Sequence, residues 1–360
     1  MAARILKTGI IGCGRVAWER HLPAVARNRS ICVTATADTD GGRSARFAER
    51  LGAAHAFTSY SELLARPDVD AVAVLTPAGS HAEIGLAALD AGKHLLVEKP
   101  LALTLGDCDR LIERASRTNL KVVVGFNLRW HRLIGEASEL LARGGVGRIK
   151  AIRSVYTHDR SGVDAPDWHR VLALGGGVSF NEAVHHFDLW RHLAGGAIDQ
   201  VHAMSMPSRH YEDETSVVFG RLDNGVLASG VFTFRSGPNS EVEIFGELGR
   251  LLISLYKFDG LEFFPRSIYP GDLADRGKKM LACVAALPKA VPALRKGGEF
   301  QATFDRLWRH FADCVLNDKP SRCTLEDGRS SLRVALAAVE SIRSGRPVNL
   351  RESSEAGAGE

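Results

Sequence analysis

No apolar run among the 360 residues approaches the roughly 18 that a membrane helix needs, so no spanning helix is expected. The net charge is only +4 with both signs interspersed, which gives neither nucleic acid nor an anionic membrane a field to bind. Six cysteines (Cys13, Cys32, Cys108, Cys283, Cys314 and Cys323) are scattered and form no C-x-x-C pair. Reduced thiols in a cytosolic protein are the expectation. No signal-peptide pattern precedes the first strand, which again predicts a cytoplasmic location. Internal repeats are absent as well.

What is present is an alternation. Residues 5–11, 31–37, 71–75, 94–98 and 121–125 read as strands apolar on both faces. Helical patterns over 15–27, 42–51, 81–91 and from about 101 to 118 separate them, with a short helix after the Ser59-x-x-Glu62 capping pattern. Strands buried on both sides and joined through helices predict a doubly wound, Rossmann-type parallel sheet over residues 1–126. Past Asn127 the rhythm changes. A long strand over 147–158 and one helix over 178–193 are followed by several strands, two of which flank the hairpin signal Asp223-Asn224-Gly225. A second domain over 127–348 is predicted, α+β with an open, mostly antiparallel sheet flanked by helices. Its helix near 326–344 closes the chain and packs back on the first domain. Residues 271–298 are basic and partly helical, an insertion or a lid, and 349–360 read as a disordered tail.

Three constellations carry chemistry. Gly12-Cys13-Gly14-Arg15-Val16-Ala17 is a G-x-G-x-x-A loop directly after a strand and opening a helix. Its glycines permit the tight turn and close backbone approach, and the helix start offers N–H groups to a pyrophosphate. Strand two ends on Asp38, placed to bind the adenosine ribose hydroxyls; a carboxylate there repels a 2′-phosphate, so NAD is expected over NADP, although Arg43 lies nearby. Thr76 and Pro77 end the third long strand at the same sheet edge, and His81 starts the next helix within reach of the cofactor. Glu98-Lys99-Pro100 then sets one lysine at a strand end in front of a proline, which biases Lys99 to extended geometry. In the second domain, Gly175-Gly176-Gly177 precedes a helix on which Asn181, His185 and Asp188 share a face, with His186 turned elsewhere. These histidines lack a third well-spaced ligand, so no metal is expected.

In this order the motifs resemble the Gfo/Idh/MocA oxidoreductases (the glucose-fructose oxidoreductase, inositol dehydrogenase and rhizopine-catabolism family). The resemblance covers nearly the whole chain and includes Gly125-Phe126-Asn127-x-Arg129, Asp167-Trp168 and the segments 323–328 and 344–348. It implies a sugar, sugar-derivative or cyclitol substrate, an NAD(P)-linked hydride transfer at a secondary hydroxyl or ketone, and a homo-oligomer, dimer or tetramer, built through the open sheet. It further implies that Lys99 and His185 are catalytic and that Arg129, Trp168 and Asn181 join them on the substrate. Glu98 and Asn127 are implied beside Gly12, Gly14, Arg15, Val16, Asp38, Thr76, Pro77, His81 and Lys99 on the cofactor. Two departures stand out: Asn181 occupies a position where many members carry Asp, and His169 one where Arg is frequent. An amide cannot act as a base, so proton handling falls to Lys99 and His185. An NAD-dependent glycosidase of the same fold and a non-catalytic ligand-sensing relative are the competing expectations.

Overall fold

The computed structural model describes residues 4–162, 165–266, 273–295 and 297–351. Six strands, β1 (Leu6–Ile11), β2 (Ile31–Ala37), β3 (His55–Phe57), β4 (Ala71–Val74), β5 (His94–Val97) and β6 (Val122–Val124), form one parallel sheet in the order β3-β2-β1-β4-β5-β6. Apolar on both faces, they can be buried only if helices cover both sides. The helices are α1 (Leu22–Ala26), α2 (Gly41–Leu51), α3 (Tyr60–Leu64), α4 (His81–Asp90) and α5 (Leu105–Ser116). Strand order reverses beside β1, so the ends of β1 and β4 open the crevice where such sheets bind ligands. Only β3 is absent from the sequence reading, because three residues carry no readable alternation.

The second half holds α6 (Arg132–Ala142), β7 (Ile149–Thr157), α7 (Asp167–Arg170), α8 (Val184–Ala194) and β8 (Ile198–Met206). Strands β9 (Thr215–Leu222), β10 (Leu227–Thr233), β11 (Asn239–Gly246), β12 (Gly249–Ser254) and β13 (Leu261–Pro265) follow. Helices α9 (Leu273–Leu294), α10 (Glu299–Leu316) and α11 (Leu325–Ser344) and the short β14 (Val348–Asn349) complete the described chain. The sheet order is β13-β12-β11-β7-β10-β9-β8-β14, antiparallel except where β7 lies parallel to β10. The Asp223-Asn224-Gly225 turn joins β9 to β10, with Gly225 at φ 84°. Helix α9 occupies most of the basic 271–298 segment despite Pro288 and Pro292. The expected tail lies outside the described residues beyond Arg351; Val348 and Asn349 pair with β8 instead.

Two helices depart from the regular α pattern that the periodicity predicts. Residues Ala17–His21 and Ser179–Ala183 each form a π turn ahead of an α-helical stretch. Such turns interrupt the i→i−4 ladder and recur at functional sites. One stands directly behind the glycine loop, the other directly before His185.

Helix α11 ties the two halves together. Arg329 reaches Asp109 of α5 at 2.5 Å, and the Val124 N–H donates to Cys323 O at 2.9 Å, just before α11 begins. The Thr324–Asp327 capping box fixes the start of the helix.

Candidate functional site

The carboxyl edge of the parallel sheet gathers the first set of residues. Gly12 sits at φ 92°, and a Cβ there would meet the Leu75 backbone at 2.8 Å and Thr76 Cγ2 at 2.9 Å, so no other residue fits this turn. In front of Gly14 a Cβ would meet nothing within 4 Å, and Arg15 and Val16 are exposed at the helix start. Asp38 accepts the Cys13 N–H on Oδ2 at 2.7 Å and the Asp40 N–H on Oδ1 at 2.9 Å. Half-exposed, the carboxylate keeps lone pairs for a further donor. Arg43, which would favour a 2′-phosphate, is paired with Asp40 at 3.3 Å. Open space beside a glycine cradle, a helix start and a fixed carboxylate fit a dinucleotide; Gly12, Gly14, Arg15, Val16 and Asp38 are the residues that would hold it.

His81 does not line that space. It is 1% exposed, and its ring nitrogens face Pro100 O at 2.8 Å and Thr76 O at 2.7 Å. The ring braces the end of β4 against the Lys99–Pro100 peptide, which is cis, and so it positions Thr76 and Lys99 rather than touching a cofactor. The Thr76 hydroxyl accepts from Ser80 at 2.8 Å, while Pro77 is exposed at the edge. Glu98 is likewise turned inward. Its Oε1 faces His21 Nε2 at 3.0 Å and its Oε2 accepts the Lys99 N–H at 3.1 Å. Asn127 is buried, and its amide donates to Thr303 Oγ1 of α10 at 3.0 Å, so its side chain anchors α10 rather than a cofactor.

The second domain brings its own groups to Lys99. The Lys99 ammonium donates to the backbone carbonyl of Asn181, within the π turn. The Asn181 side-chain amide donates to Gly177 O at 2.8 Å and His169 O at 3.3 Å. A carboxylate in its place would set one acceptor oxygen, where Nδ2 now donates, against both carbonyls, which accounts for Asn at this position in this chain. Gly176 permits the arrangement: a Cβ there would lie 2.7 Å from the backbone of His169 and Val171.

His185 is 8% exposed, and its Nδ1 has no hydrogen-bond partner among the described residues. Burial first, then the charge of Lys99 and the neighbouring His186, hold its pKa well below the ordinary histidine value. The ring is therefore neutral at physiological pH, so one of its nitrogens carries a lone pair. His186 faces the other way, into the core beside Tyr156 and Phe232, where burial lowers its pKa to about 3.

Asp188 and Arg129 leave the site. The Arg129 guanidinium holds Asp188 through two bonds of 2.6 and 2.5 Å, Asp327 at 2.9 Å and the Arg322 carbonyl at 2.7 Å. Its side chain is only 8% exposed, so it locks α8 to α11 and is not free for a substrate. Sequence spacing aligned Asp188 with Asn181 and His185, but the charge partner it faces is 59 residues away in the chain.

Residues the sequence reading missed surround His169. Arg160, on the loop after β7, donates to Glu182 Oε1 at 2.6 Å and His169 Nε2 at 2.8 Å, with its guanidinium 4.7 Å from the Phe234 ring. Burial, then Arg160 and Lys99, lower the His169 pKa to about 3. Half-buried Trp168 stands against His169 with ring centroids 5.4 Å apart. No local motif signals Arg160, because its partners come from three separate segments. Among the described residues no cluster of three or more His, Cys, Asp or Glu is arranged to hold a metal ion.

Comparison with known proteins places the fold in a family. A family model described as "Oxidoreductase family, NAD-binding Rossmann fold" matches residues 6–126, and one described as "GFO/IDH/MocA C-terminal domain" matches 134–252. Myo-inositol 2-dehydrogenase of Thermotoga maritima is 25% identical over 355 residues, 96% of this chain and 99% of that protein. The dTDP-3,4-didehydro-2,6-dideoxy-alpha-D-glucose 3-reductase of Saccharopolyspora spinosa is 31% identical over 249 residues, 69% of this chain and 74% of that protein. Among solved structures, the WlbA dehydrogenase of Bordetella pertussis in complex with NADH and UDP-GlcNAcA superposes with a TM-score of 0.82 at 22% identity, covering 98% of this chain and all of that one. With both halves matched and the glycine cradle formed, this chain belongs to the Gfo/Idh/MocA family of NAD-binding oxidoreductases.

Proposed function

We propose that this protein is an NAD-dependent dehydrogenase acting on one secondary hydroxyl, or the corresponding ketone, of a sugar, sugar derivative or cyclitol. Residues 1–126 carry the cofactor and 127–348 the substrate, with Lys99 at their junction. The observation that carries the reading is the pairing of a cationic Lys99, anchored on the Asn181 carbonyl, with a buried neutral His185 that feels its charge. Similarity to relatives named as inositol dehydrogenases and a deoxysugar reductase supports the substrate class.

Bound NAD supplies the hydride acceptor or donor. Everything else falls to the chain. In the oxidative direction the Lys99 ammonium hydrogen-bonds the reacting hydroxyl oxygen and stabilises the negative charge that builds on it. His185, held neutral, takes the hydroxyl proton as general base. Asn181 keeps Lys99 in place through its backbone carbonyl, and its side-chain Oδ1 remains free to accept from a neighbouring hydroxyl. Trp168 offers an apolar ring of the kind that lies along a sugar face.

The test is a dehydrogenation screen over myo-inositol, scyllo-inositol, free hexoses and nucleotide hexoses, read at the reduced-nicotinamide band. Net NADH formation with one compound class supports the reading. Turnover of a glycoside without net NADH would contradict it.

A further inference from the structure

The described residues include a buried polar chain that spans both halves of the protein and ends one residue from Lys99. Trp308 on α10 places its indole Nε1 3.1 Å from His21 Nδ1. His21 Nε2 lies 3.0 Å from Glu98 Oε1, and Glu98 Oε2 accepts the Lys99 backbone N–H at 3.1 Å. Trp308 and His21 are 0% exposed and Glu98 8%. An indole nitrogen can only donate. His21 Nδ1 must therefore accept, which leaves the ring proton on Nε2, pointed at Glu98. Trp308 thus sets the direction of both hydrogen bonds that His21 makes, while the Lys99 N–H can only donate.

We infer that Trp308, His21 and Glu98 form a positioning relay through which helix α10 of the second domain fixes the Lys99 turn. The inference rests on the proposed role of Lys99. None of the three residues touches the reacting atoms; each acts through the next.

The geometry asks for more than packing. An ionised carboxylate is costly to bury, and an apolar residue of similar volume would serve stability at least as well. Glu98 instead places both oxygens on specific donors, one of them the backbone of the residue proposed to act on substrate. Burial raises the Glu98 carboxyl, while the hydrogen bond from His21 and the charge and N–H of Lys99 act to lower it. The far end is held equally firmly. Around Trp308, α10 is pinned to the first domain by Arg27–Asp305 at 2.6 Å and by the Gln301 amide on Arg20 O at 2.8 Å. Phe304 of the same helix closes over the His21 ring edge-on, with centroids 5.0 Å apart. His21 lies within the π turn behind the glycine loop, so one ring links that turn, α10 and the Lys99 turn.

The experiment compares His21→Gln, His21→Leu and Trp308→Phe with the wild type in the full-length protein. The first readout needs no cofactor or substrate: selective 15N-histidine spectra report which nitrogen of His21 carries the proton. A single Nε2–H tautomer is expected in the wild type and a mixture in Trp308→Phe; an Nδ1–H tautomer in the wild type overturns the relay. The second readout is turnover with the screened compound of highest kcat/KM. Loss of the hydrogen bond to buried Glu98 in His21→Leu should lower kcat about 30-fold, with the KM for that compound and the Kd for NAD each within about threefold. His21→Gln, whose amide can still donate to Glu98, should recover to within about fivefold of wild type. His21→Leu added to Glu98→Gln should cost nothing further, because both cut one chain. Additive losses, or an equal fall in His21→Leu and His21→Gln, overturn the relay. Lys99→Ala run in parallel separates the two ideas. If it retains turnover, the role of Lys99 fails while the tautomer result stands; if it abolishes turnover and His21→Leu does not lower it, the relay fails and Lys99 keeps its role.

Discussion

The two sides of the site are built in opposite ways. On the proposed cofactor side, Gly12, Gly14 and Asp38 offer mostly backbone: a turn that admits no Cβ, open space beside a helix start, and a carboxylate held by two N–H groups. On the proposed substrate side, Lys99, Asn181, His185, His169 and Arg160 converge from four separate stretches. A backbone device is encoded by contiguous residues and tolerates little variation. A convergent device can change one member at a time, as the amide at position 181 illustrates. A change on the convergent side therefore need not disturb the backbone cradle on the other.

Removing the guanidinium that locks α8 would break the substrate side most severely. Arg129→Ala leaves Asp188 buried without its charge partner, while half-buried Asp327 keeps Arg191 and the Thr324 N–H, and should cost about 3–5 kcal/mol of stability, seen as a large drop in the denaturant midpoint. Because Arg129 is a clamp and not a ligand, the folded fraction at low temperature should keep a near-normal substrate KM. A variant of normal stability with a sharply raised KM would return Arg129 to the substrate.

Next in size is Asn181→Asp. The new carboxylate loses both donations to Gly177 O and His169 O and faces those carbonyls, which should lower kcat/KM about 10- to 50-fold. An unchanged or faster enzyme would mean that the amide is not required. On the other side, Asp38→Ala should weaken NAD binding about tenfold in titration calorimetry, with kcat little altered at saturating cofactor. If substrate KM moved instead, the separation of the two sides would fail.

The smallest effect is on pH. A base must be unprotonated to act, and His185 has its pKa depressed by burial, Lys99 and His186. The kcat/KM for oxidation should therefore stay flat as pH falls through the usual histidine range and decline only below it. An acid limb centred at or above the ordinary histidine pKa of about 6.5 would place the His185 proton differently.

The sequence made one side legible and much of the other opaque for the same physical reason. Gly12-x-Gly14, Asp38 and the Glu98-Lys99-Pro100 turn are short-range patterns whose geometry follows from local chemistry. Arg129 and His81 carry equally recognisable spacing, yet their roles depend on what they meet. Arg129 meets Asp188 and Asp327, and His81 meets the Thr76 and Pro100 carbonyls. His21 and Trp308 are separated by 287 residues, so no window along the chain could join them. The π turns at Ala17–His21 and Ser179–Ala183 were invisible because apolar periodicity fits a regular helix almost as well.

The central claim is that Lys99 and His185 together move the hydroxyl proton while the cofactor side stands apart. The most direct measurement is single-turnover oxidation at saturating NAD for the wild type, Lys99→Ala and His185→Ala, with NAD affinity measured on the same samples. The account predicts that each variant slows reduced-nicotinamide formation by about 100-fold or more while binding NAD within about threefold of wild type. Near-normal single-turnover rates in either variant would contradict it.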